Sequence, residues 1–337
     1  MKKLKIAVVG ATGLVGRTIL QVLEERKFSL GGLVLLATSR SAGKEIRFRG
    51  DVYRVKDIEK ESFKGIDVAF FAGGDTAAVQ EIPRAVDSGA VVIDKSSTFR
   101  MTPEVPLVVP EVNPDTLKNH KGIIASPNCS TIQMVVTIQP LHSYAKLKRI
   151  VVSTYQSVSG TGKDAVLEFE SQVNAICKNR SLKRKVYPHI IAGNLFPHID
   201  KFYPDGYTGE EHKMINETRK IMNLPDLRIS ATCVRVPVKI GHSMSCNLEF
   251  YNTIDEDTAR RILCNAPGIT VIDDPLLGKY PTPLMAAGQD QVLVGRIRSD
   301  RSNPGGLELW CCADNLRKGA AVNAVQIAEK LIEDNLL

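Results

Sequence analysis

Leu4-Lys5-Ile6-Ala7-Val8-Val9-Gly10-Ala11-Thr12-Gly13-Leu14-Val15-Gly16 is the stretch that decides the fold of the first half of the chain. Residues 4–9 are an apolar run of strand length, and a helical pattern follows the glycines through Arg26. Strand, glycine turn and helix in that order form the phosphate-cradling unit of a doubly wound sheet. Gly10 permits the turn, Gly13 lets backbone approach a pyrophosphate, and Gly16 lets the helix pack on the strand. The spacing is GxxGxxG, not GxGxxG, so the flanking strand and helix carry the reading. Basic residues before an apolar run also begin secretory signals, but this run is too short and passes straight into glycines.

A second strand, Leu33 to Ala37, ends in Thr38-Ser39-Arg40-Ser41-Ala42-Gly43-Lys44. A cofactor with a free ribose 2′-hydroxyl calls for an acidic residue here, and the loop has none. Its hydroxyls, Arg40 and Lys44 suit a 2′-phosphate, which favours NADP over NAD; the alternative is a basic exposed loop with no ligand. Strands at Asp67 to Ala72 and Val91 to Asp94 flank a helix from Thr76 to Ser88, and Gly73-Gly74-Asp75-Thr76 falls at the ligand end of the first of them. The alternation predicts an α/β unit with a parallel sheet.

Composition sets the outer limits. The chain has 337 residues, which predicts two domains. Its 7 cysteines are odd in number and contain no CxxC pair, so neither a zinc site nor a disulfide framework is expected, and a reducing cytoplasm is. The histidines lack ligand spacing with supporting carboxylates, so no metal is assigned. No stretch is long and apolar enough to span a membrane. The net charge of +7 is mostly scattered. Its one cluster, 178–185 (KNRSLKRK), lacks interleaved aromatics and reads as a solvated loop or helix end, so no nucleic-acid partner is expected.

After Leu147 the texture becomes β-rich. A strand from Arg149 to Val158 runs into Ser157-Val158-Ser159-Gly160-Thr161-Gly162-Lys163, which is neither a Walker A loop nor a nucleophile elbow. Strands at Ile229 to Val238, Ser243 to Tyr251, Gln291 to Ile297 and Leu307 to Ala313 predict a second, α+β domain. Leu316 to Leu336 reads as an amphipathic helix that returns to the first domain. Between the first two of these strands Pro237 and Gly241 interrupt the ladder. Arg235 could clamp a carboxylate there and His242 could move protons, or both could be surface residues.

Cys129 lies in Ser126-Pro127-Asn128-Cys129-Ser130-Thr131-Ile132-Gln133. Pro127 and Asn128 discourage helix, and Ile132 to Leu141 reads as a buried helix opened by Ser130 or Thr131. Unpaired N–H groups and the helix dipole at that junction favour thiolate, which suits a nucleophile. A buried, inert thiol is the commoner alternative.

Together the motifs GATGLVG (10–16), TSRSAGK (38–44), SSTFR (96–100), SPNCSTIQ (126–133), QSVSGTG (156–162), GEEHK (209–213), RVPVKIGHS (235–243) and NLRKGAA (315–321) resemble the aspartate-β-semialdehyde dehydrogenases over essentially the whole chain. The resemblance implies a Rossmann-type dinucleotide-binding domain (1–128 plus 315–337) and a second α+β catalytic and dimerisation domain (129–314). It implies Cys129 as nucleophile, His242 as general acid/base and Gln156 orienting the acyl group. Arg235 and Glu210 would hold the amino acid, and Arg100, Asn128 and Lys213 the phosphate. Gly10, Thr12, Gly13, Leu14, Val15, Ser39, Arg40, Ser41 and Thr76 would contact NADP, with the loop 157–162, including Ser159 and Gly160, and Asn315 near the nicotinamide. His212 stands where the pattern expects an apolar or aromatic residue. The implied activity is NADPH-dependent reductive dephosphorylation of L-aspartyl-β-phosphate, in lysine, threonine and methionine biosynthesis, by a homodimer or a tetramer of dimers. The rivals are N-acetyl-γ-glutamyl-phosphate reductase, whose cysteine follows Pro-Gly, glyceraldehyde-3-phosphate dehydrogenase, and a silent NADP-binding relative.

Overall fold

The computed structural model describes residues 3–337; Met1 and Lys2, placed by the sequence pattern in the first domain, lie outside the described residues. The first part of the chain runs β1 (Leu4–Val9), α1 (Leu14–Glu25), β2 (Leu30–Ala37), a hairpin of β3 (Glu45–Phe48) and β4 (Asp51–Arg54), β5 (Lys56–Asp57), β6 (Val68–Phe71), α2 (Asp75–Asp87), β7 (Val91–Asp94) and β8 (Ile123–Ala125). Among the described residues, six of these strands form one parallel sheet in the order β5-β2-β1-β6-β7-β8. The order reverses beside β1, so the Gly10 turn lies at the switch point where such sheets bind ligands. β2 begins earlier than the pattern predicts, because Leu30 and Gly32 also pair with β1 around a bulge at Gly31, where a Cβ would sit 2.9 Å from the Lys3 carbonyl oxygen. The hairpin, β5 and β8 were too short or too polar to be anticipated.

The chain continues through α3 (Cys129–Ala145), β9 (Leu147–Gln156), α4 (Lys163–Cys177), α5 (Gly209–Met222), β10 (Arg228–Arg235), β11 (His242–Phe250), α6 (Glu256–Cys264), β12 (Ile269–Val271), α7 (Pro283–Ala286), β13 (Val292–Ser299), β14 (Leu307–Ala313) and α8 (Asn323–Glu333). Among the described residues, β10-β9-β11-β14-β13-β12 form a mixed sheet, with α3 crossing it between α5 and α6. Every side chain of α3 from Ser130 to Ile138 is buried, so the helix has no polar stripe for a periodicity search to find. Three boundaries are corrected. α3 opens at Cys129 itself, not at Ser130 or Thr131. β9 stops at Gln156, before a 3₁₀ turn over Val158–Thr161, and β10 stops at Arg235.

The described chain forms two compact units, one reaching Asn128 and resuming at Ala320–Leu337, the other Cys129–Gly319. Residues 315–319 therefore go with the second unit, and not with the first as the pattern placed them. In place of one helix over 316–336 there is a π-helical turn at Arg317–Val322 followed by α8. In the first unit, Ile6 and Val8 of β1 share a core with Ile19 and Leu23 of α1 and Val325, Ala328 and Leu331 of α8. The alternate residues Ala7 and Val9 pack on Ile82 and Ala85 of α2. That two-sided burial makes β1 a nearly continuous apolar run.

Candidate active site

In the first unit β1 ends at Gly10, whose φ of +77° is a glycine conformation and whose Cβ, if present, would lie 2.4 Å from the Ala72 carbonyl oxygen. A Cβ on Gly16 would meet the Gly10 oxygen at 2.3 Å, so α1 rests directly on the turn. Thr12 lies in this turn. Gly13 is the N-cap of α1 and supplies no side-chain cap, which leaves the N–H groups of Leu14, Val15 and their neighbours for an external acceptor. Ser39, Arg40 and Ser41 form a 3₁₀ turn directly after β2, and Lys44 Nζ reaches Ser41 Oγ at 3.3 Å. Thr76 lies in the first turn of α2. Its neighbour Asp75, which the motif reading passed over, accepts hydrogen bonds from Ser97 N–H at 2.8 Å and Ser97 Oγ at 3.0 Å.

The segment that leads to Cys129 is pinned by two side chains of the same unit. Lys95 Nζ donates to the Pro127 carbonyl at 2.8 Å and to Ser126 Oγ at 3.2 Å. Asn323 Nδ2 donates to Ser126 Oγ at 2.9 Å and to the Val108 carbonyl at 3.0 Å. Arg100 and Asn128 are both buried, and Arg100 Nη2 donates to the Lys95 carbonyl at 2.8 Å. Sequence reasoning missed Lys95 and Asn323. Lys95 stands immediately before the SSTFR run, which was the available signal; Asn323 carried none.

In the second unit Cys129 is the first residue of α3 and is half-buried, against a 2.9 Å approach of its Cβ to the position of a Cβ on Gly319. The remaining predicted residues come together through strand register. Gln156 ends β9 and pairs with Arg235, which ends the adjacent parallel β10, while His242 opens β11 on the other side of β9. Sequence separations of about eighty residues thus close to neighbouring strand ends. Ser157, expected only as part of the loop on the nicotinamide side, joins these groups. Its N–H donates to His242 Nδ1 at 3.0 Å and its carbonyl accepts from Arg235 Nη1. Its hydroxyl is 3.1 Å from His242 Nδ1 and donates to Asn315 Oδ1 at 3.1 Å. Asn315 also accepts from Gly241 N–H at 2.9 Å and donates to Ser159 Oγ at 2.9 Å, so it is a hub of the loop. Gly160 admits both functional side chains: a Cβ there would lie 3.1 Å from His242 Nε2 and 3.3 Å from Arg235 Nη1. Tyr187, also unanticipated, lies under the Arg235 guanidinium with its ring centroid 5.9 Å away.

Burial, with the positive charge of Arg235, lowers the pKa of His242 to about 3, against a smaller raising contribution from the Gly241 carbonyl. Three buried thiols of this unit are held in the protonated form. Burial pushes Cys233 well up and Cys312 up to about 12, while hydrogen bonding to Cys246 and burial raise Cys311. At the start of α5, Thr208 and Glu211 form a capping box, and Glu211 Oε1 accepts from the Cys233 N–H at 2.9 Å, so this carboxylate is structural. Glu210 is buried and meets Lys213 Nζ at 3.4 Å; Lys213 also binds Asp200 Oδ2 at 2.7 Å, a partner the sequence did not disclose. Although burial pushes Asp200 up, Lys213 and the Lys201 N–H hold it below the usual carboxylate range. His212 pairs with Asp205 at 3.0 Å and contacts the rings of Tyr203 and Tyr207. Among the described residues, no group of His, Cys, Asp and Glu could hold a metal, and no helix is long and apolar enough to cross a membrane.

Cys129 at the start of α3 and Gln156, Arg235 and His242 at adjacent strand ends belong to one unit of a chain that has close relatives. Residues 5–120 match the family model "Semialdehyde dehydrogenase, NAD binding domain", and residues 138–318 match "Semialdehyde dehydrogenase, dimerisation domain". The aspartate-semialdehyde dehydrogenase of Aquifex aeolicus is 54% identical over 99% of both chains. The chain belongs to the aspartate-semialdehyde dehydrogenase family. The enzyme of that name from Bacillus subtilis is 48% identical over 99% of each chain. Among solved structures, Vibrio cholerae aspartate semialdehyde dehydrogenase II complexed with ASA has a TM-score of 0.97 at 43% identity over 99% of both chains. Aspartate semialdehyde dehydrogenase from Candida albicans, solved with NADP, has a TM-score of 0.78 at 26% identity over 100% of both chains. Aspartate-semialdehyde dehydrogenases are NADP-dependent oxidoreductases, and the rival acyl-phosphate reductases read from the sequence are not favoured by these relatives.

Proposed function

We propose that the chain converts L-aspartyl-β-phosphate to L-aspartate-β-semialdehyde with NADPH, through a thioester on Cys129, as a cytoplasmic step toward lysine, threonine and methionine. The observation that carries this reading is Cys129 in the first turn of α3, in one unit with Gln156, Arg235 and His242 at adjacent strand ends. The Cys129 thiolate, favoured by the N–H groups and dipole of α3, attacks the β-carbonyl carbon. The carbon–oxygen bond to phosphate breaks and inorganic phosphate departs. Arg100, Asn128 and Lys213 are the groups assigned to that phosphate. Arg235 clamps the α-carboxylate and Glu210 meets the α-amino group. Gln156, buried at the end of β9, orients the acyl oxygen.

The cofactor site fits its ligand. Gly10 and Gly16 have no room for a Cβ and α1 has no side-chain cap, which suits a pyrophosphate; the Ser39-Arg40-Ser41 turn with Lys44 suits a 2′-phosphate. When bound, NADPH would supply the hydride that reduces the thioester carbon. The hemithioacetal then collapses, releasing the aldehyde and restoring the thiolate. Gly10, Thr12, Gly13, Leu14, Val15, Ser39, Arg40, Ser41 and Thr76 are assigned to the cofactor, and Ser159, Gly160 and Asn315 to its nicotinamide side.

The homodimer is assigned to the second unit, whose run Leu276, Leu277, Tyr280, Leu284 and Met285 exposes apolar side chains suited to a second copy. The activity is tested by initial rates of NADP reduction by L-aspartate-β-semialdehyde, with and without inorganic phosphate. Phosphate-dependent turnover is expected; turnover of N-acetylglutamate semialdehyde in its place would overturn the substrate.

A further inference from the structure

We propose that Tyr187 is a positioning residue that couples the carboxylate clamp to the nicotinamide-side loop: its ring backs the Arg235 guanidinium and its hydroxyl holds Thr161. The inference rests on the roles proposed above for Arg235 and for the loop 157–162. Tyr187 is buried, although residues 176–185 before it and Pro188 and His189 after it are exposed. The Arg235 guanidinium carbon stands 5.9 Å from the ring centroid, and the Tyr187 hydroxyl donates to Thr161 Oγ1 at 2.8 Å. One rigid side chain thus reaches from the end of β10 to the turn that follows β9.

The loop that carries Tyr187 is built to hold it there. Glu168 and Gln172, both buried on α4, commit their acceptors to backbone on either side of Tyr187. Glu168 Oε2 accepts from the Lys185 N–H at 2.6 Å and from the Val186 N–H, and Gln172 Oε1 accepts from Ile191 N–H at 3.0 Å and Ala192 N–H at 3.1 Å. Gln172 Nε2 completes the set, donating to the Lys183 carbonyl at 2.9 Å and to Glu168 Oε1 at 3.2 Å. The basic run 178–185 is therefore the outer arm of a loop whose inner product is one aromatic ring. Phe196 meets that ring edge-on with centroids 5.6 Å apart, and exchanges both backbone hydrogen bonds with Arg235, at 2.9 and 3.1 Å. Arg235 is thus tied to this loop through its backbone and through its side chain.

A buried guanidinium needs compensation for the water it has lost. Arg235 donates to the Ser157 carbonyl, its Nε is buried without a hydrogen-bond partner, and among the described residues no carboxylate pairs with it. The negative face of the Tyr187 ring offsets part of the cost and leaves the remaining N–H groups for an incoming carboxylate. Burial pushes the Tyr187 hydroxyl up, the Arg235 charge and the Thr161 hydrogen bond oppose this, and the Glu168 charge adds to it. The hydroxyl is therefore a neutral donor, as its bond to Thr161 requires.

Tyr187→Phe keeps the ring and removes the hydroxyl, Thr161→Val removes the hydroxyl's partner, and Tyr187→Leu and Tyr187→Met remove ring and hydroxyl together. In ligand-free enzyme, hydrogen–deuterium exchange of the peptide spanning 157–163 reads the link without substrate, because the Ser159, Gly160 and Gly162 N–H groups are all hydrogen-bonded. Tyr187→Phe and Thr161→Val are each expected to speed that exchange about threefold, and the double variant no further. Unchanged exchange, or effects that add, would overturn the part given to the hydroxyl. In steady state Tyr187→Phe should lower kcat about fivefold with the semialdehyde KM within about twofold of wild type, because its ring still backs Arg235. Tyr187→Leu or Tyr187→Met, whichever is folded by its thermal melt, should raise that KM about tenfold above Tyr187→Phe. A KM equal to that of Tyr187→Phe would overturn the part given to the ring. Wild type inactive on L-aspartate-β-semialdehyde would refute the substrate assignment instead, and the exchange result would still decide the link.

Discussion

Gly319→Ala places its new methyl group against the nucleophile. The new Cβ would lie 2.9 Å from Cys129 Cβ, 3.3 Å from its Cα and 3.4 Å from its carbonyl oxygen. Carbon atoms rest about 3.5–4.0 Å apart, so the first turn of α3 or the π-helical turn must give way by about 1 Å. A displacement of that size at a reacting atom costs about 100-fold in rate. Stability responds far less. Overpacking a filled site costs about 1–3 kcal/mol, while replacing glycine by alanine in helical backbone returns about 1 kcal/mol. For units of this size a net loss of about 0–2 kcal/mol lowers Tm by no more than about 8 °C. The assay is steady-state, phosphate-dependent NADP reduction beside a thermal melt. A folded variant with kcat reduced about 10- to 100-fold is expected. Wild-type kcat would refute the claim that chemistry occurs at a sulfur held in this packing.

Cys129→Ala is expected to abolish turnover while NADP still binds by fluorescence titration; substantial residual turnover would refute the thioester. Arg235→Lys should raise the semialdehyde KM by about tenfold or more, because a point charge cannot keep the Ser157 carbonyl and a bidentate carboxylate together; an unchanged KM would remove Arg235 from the site. His242 has a folded pKa of about 3 against an ordinary 6.5, so the native state excludes a proton that the unfolded state takes up. Its contribution is complete above pH 6.5 and declines as pH falls toward 3. Relative to His242→Gln, wild type should therefore lose about 2 kcal/mol between pH 7 and 5 in urea unfolding, and a pH-independent difference would contradict the burial argument. Leu284, 89% exposed, is assigned to self-association, so Leu284→Asp should shift the sedimenting species to a smaller one at unchanged Tm; an unchanged species would move the interface elsewhere.

What could be read from the sequence depended on how local its cause was. Leu4 to Gly16 is legible because strand, turn and helix are successive, and each glycine has a steric reason within the same thirteen residues. β11 was legible because Met244, Cys246, Leu248 and Phe250 alternate with polar residues after Gly241, the period of a half-buried strand. The hairpin over 45–54 is polar and short, and β2 hid behind two glycines whose role is a close approach to β1. The contacts of Ser157 and Asn323 were invisible for a different reason. Their side chains are ordinary, and their importance arises from partners 85 and 197 residues away. Cys129, Arg235 and His242 stood out individually by chemistry, but only the pairing of β9 with β10 and β11 brings the last two and Gln156 to one edge. The full motif set, taken as a resemblance, supplied what local reasoning could not.

The central claim is an aspartyl thioester on Cys129. It is tested most directly by mixing enzyme with L-aspartate-β-semialdehyde and NADP in the absence of phosphate, then quenching in acid and mapping peptides by mass. A burst of NADPH of one equivalent per active site is expected, with one aspartyl acyl group on the peptide containing Cys129, both lost in Cys129→Ala and discharged by added phosphate. No burst, or an acyl group on another residue, would contradict it.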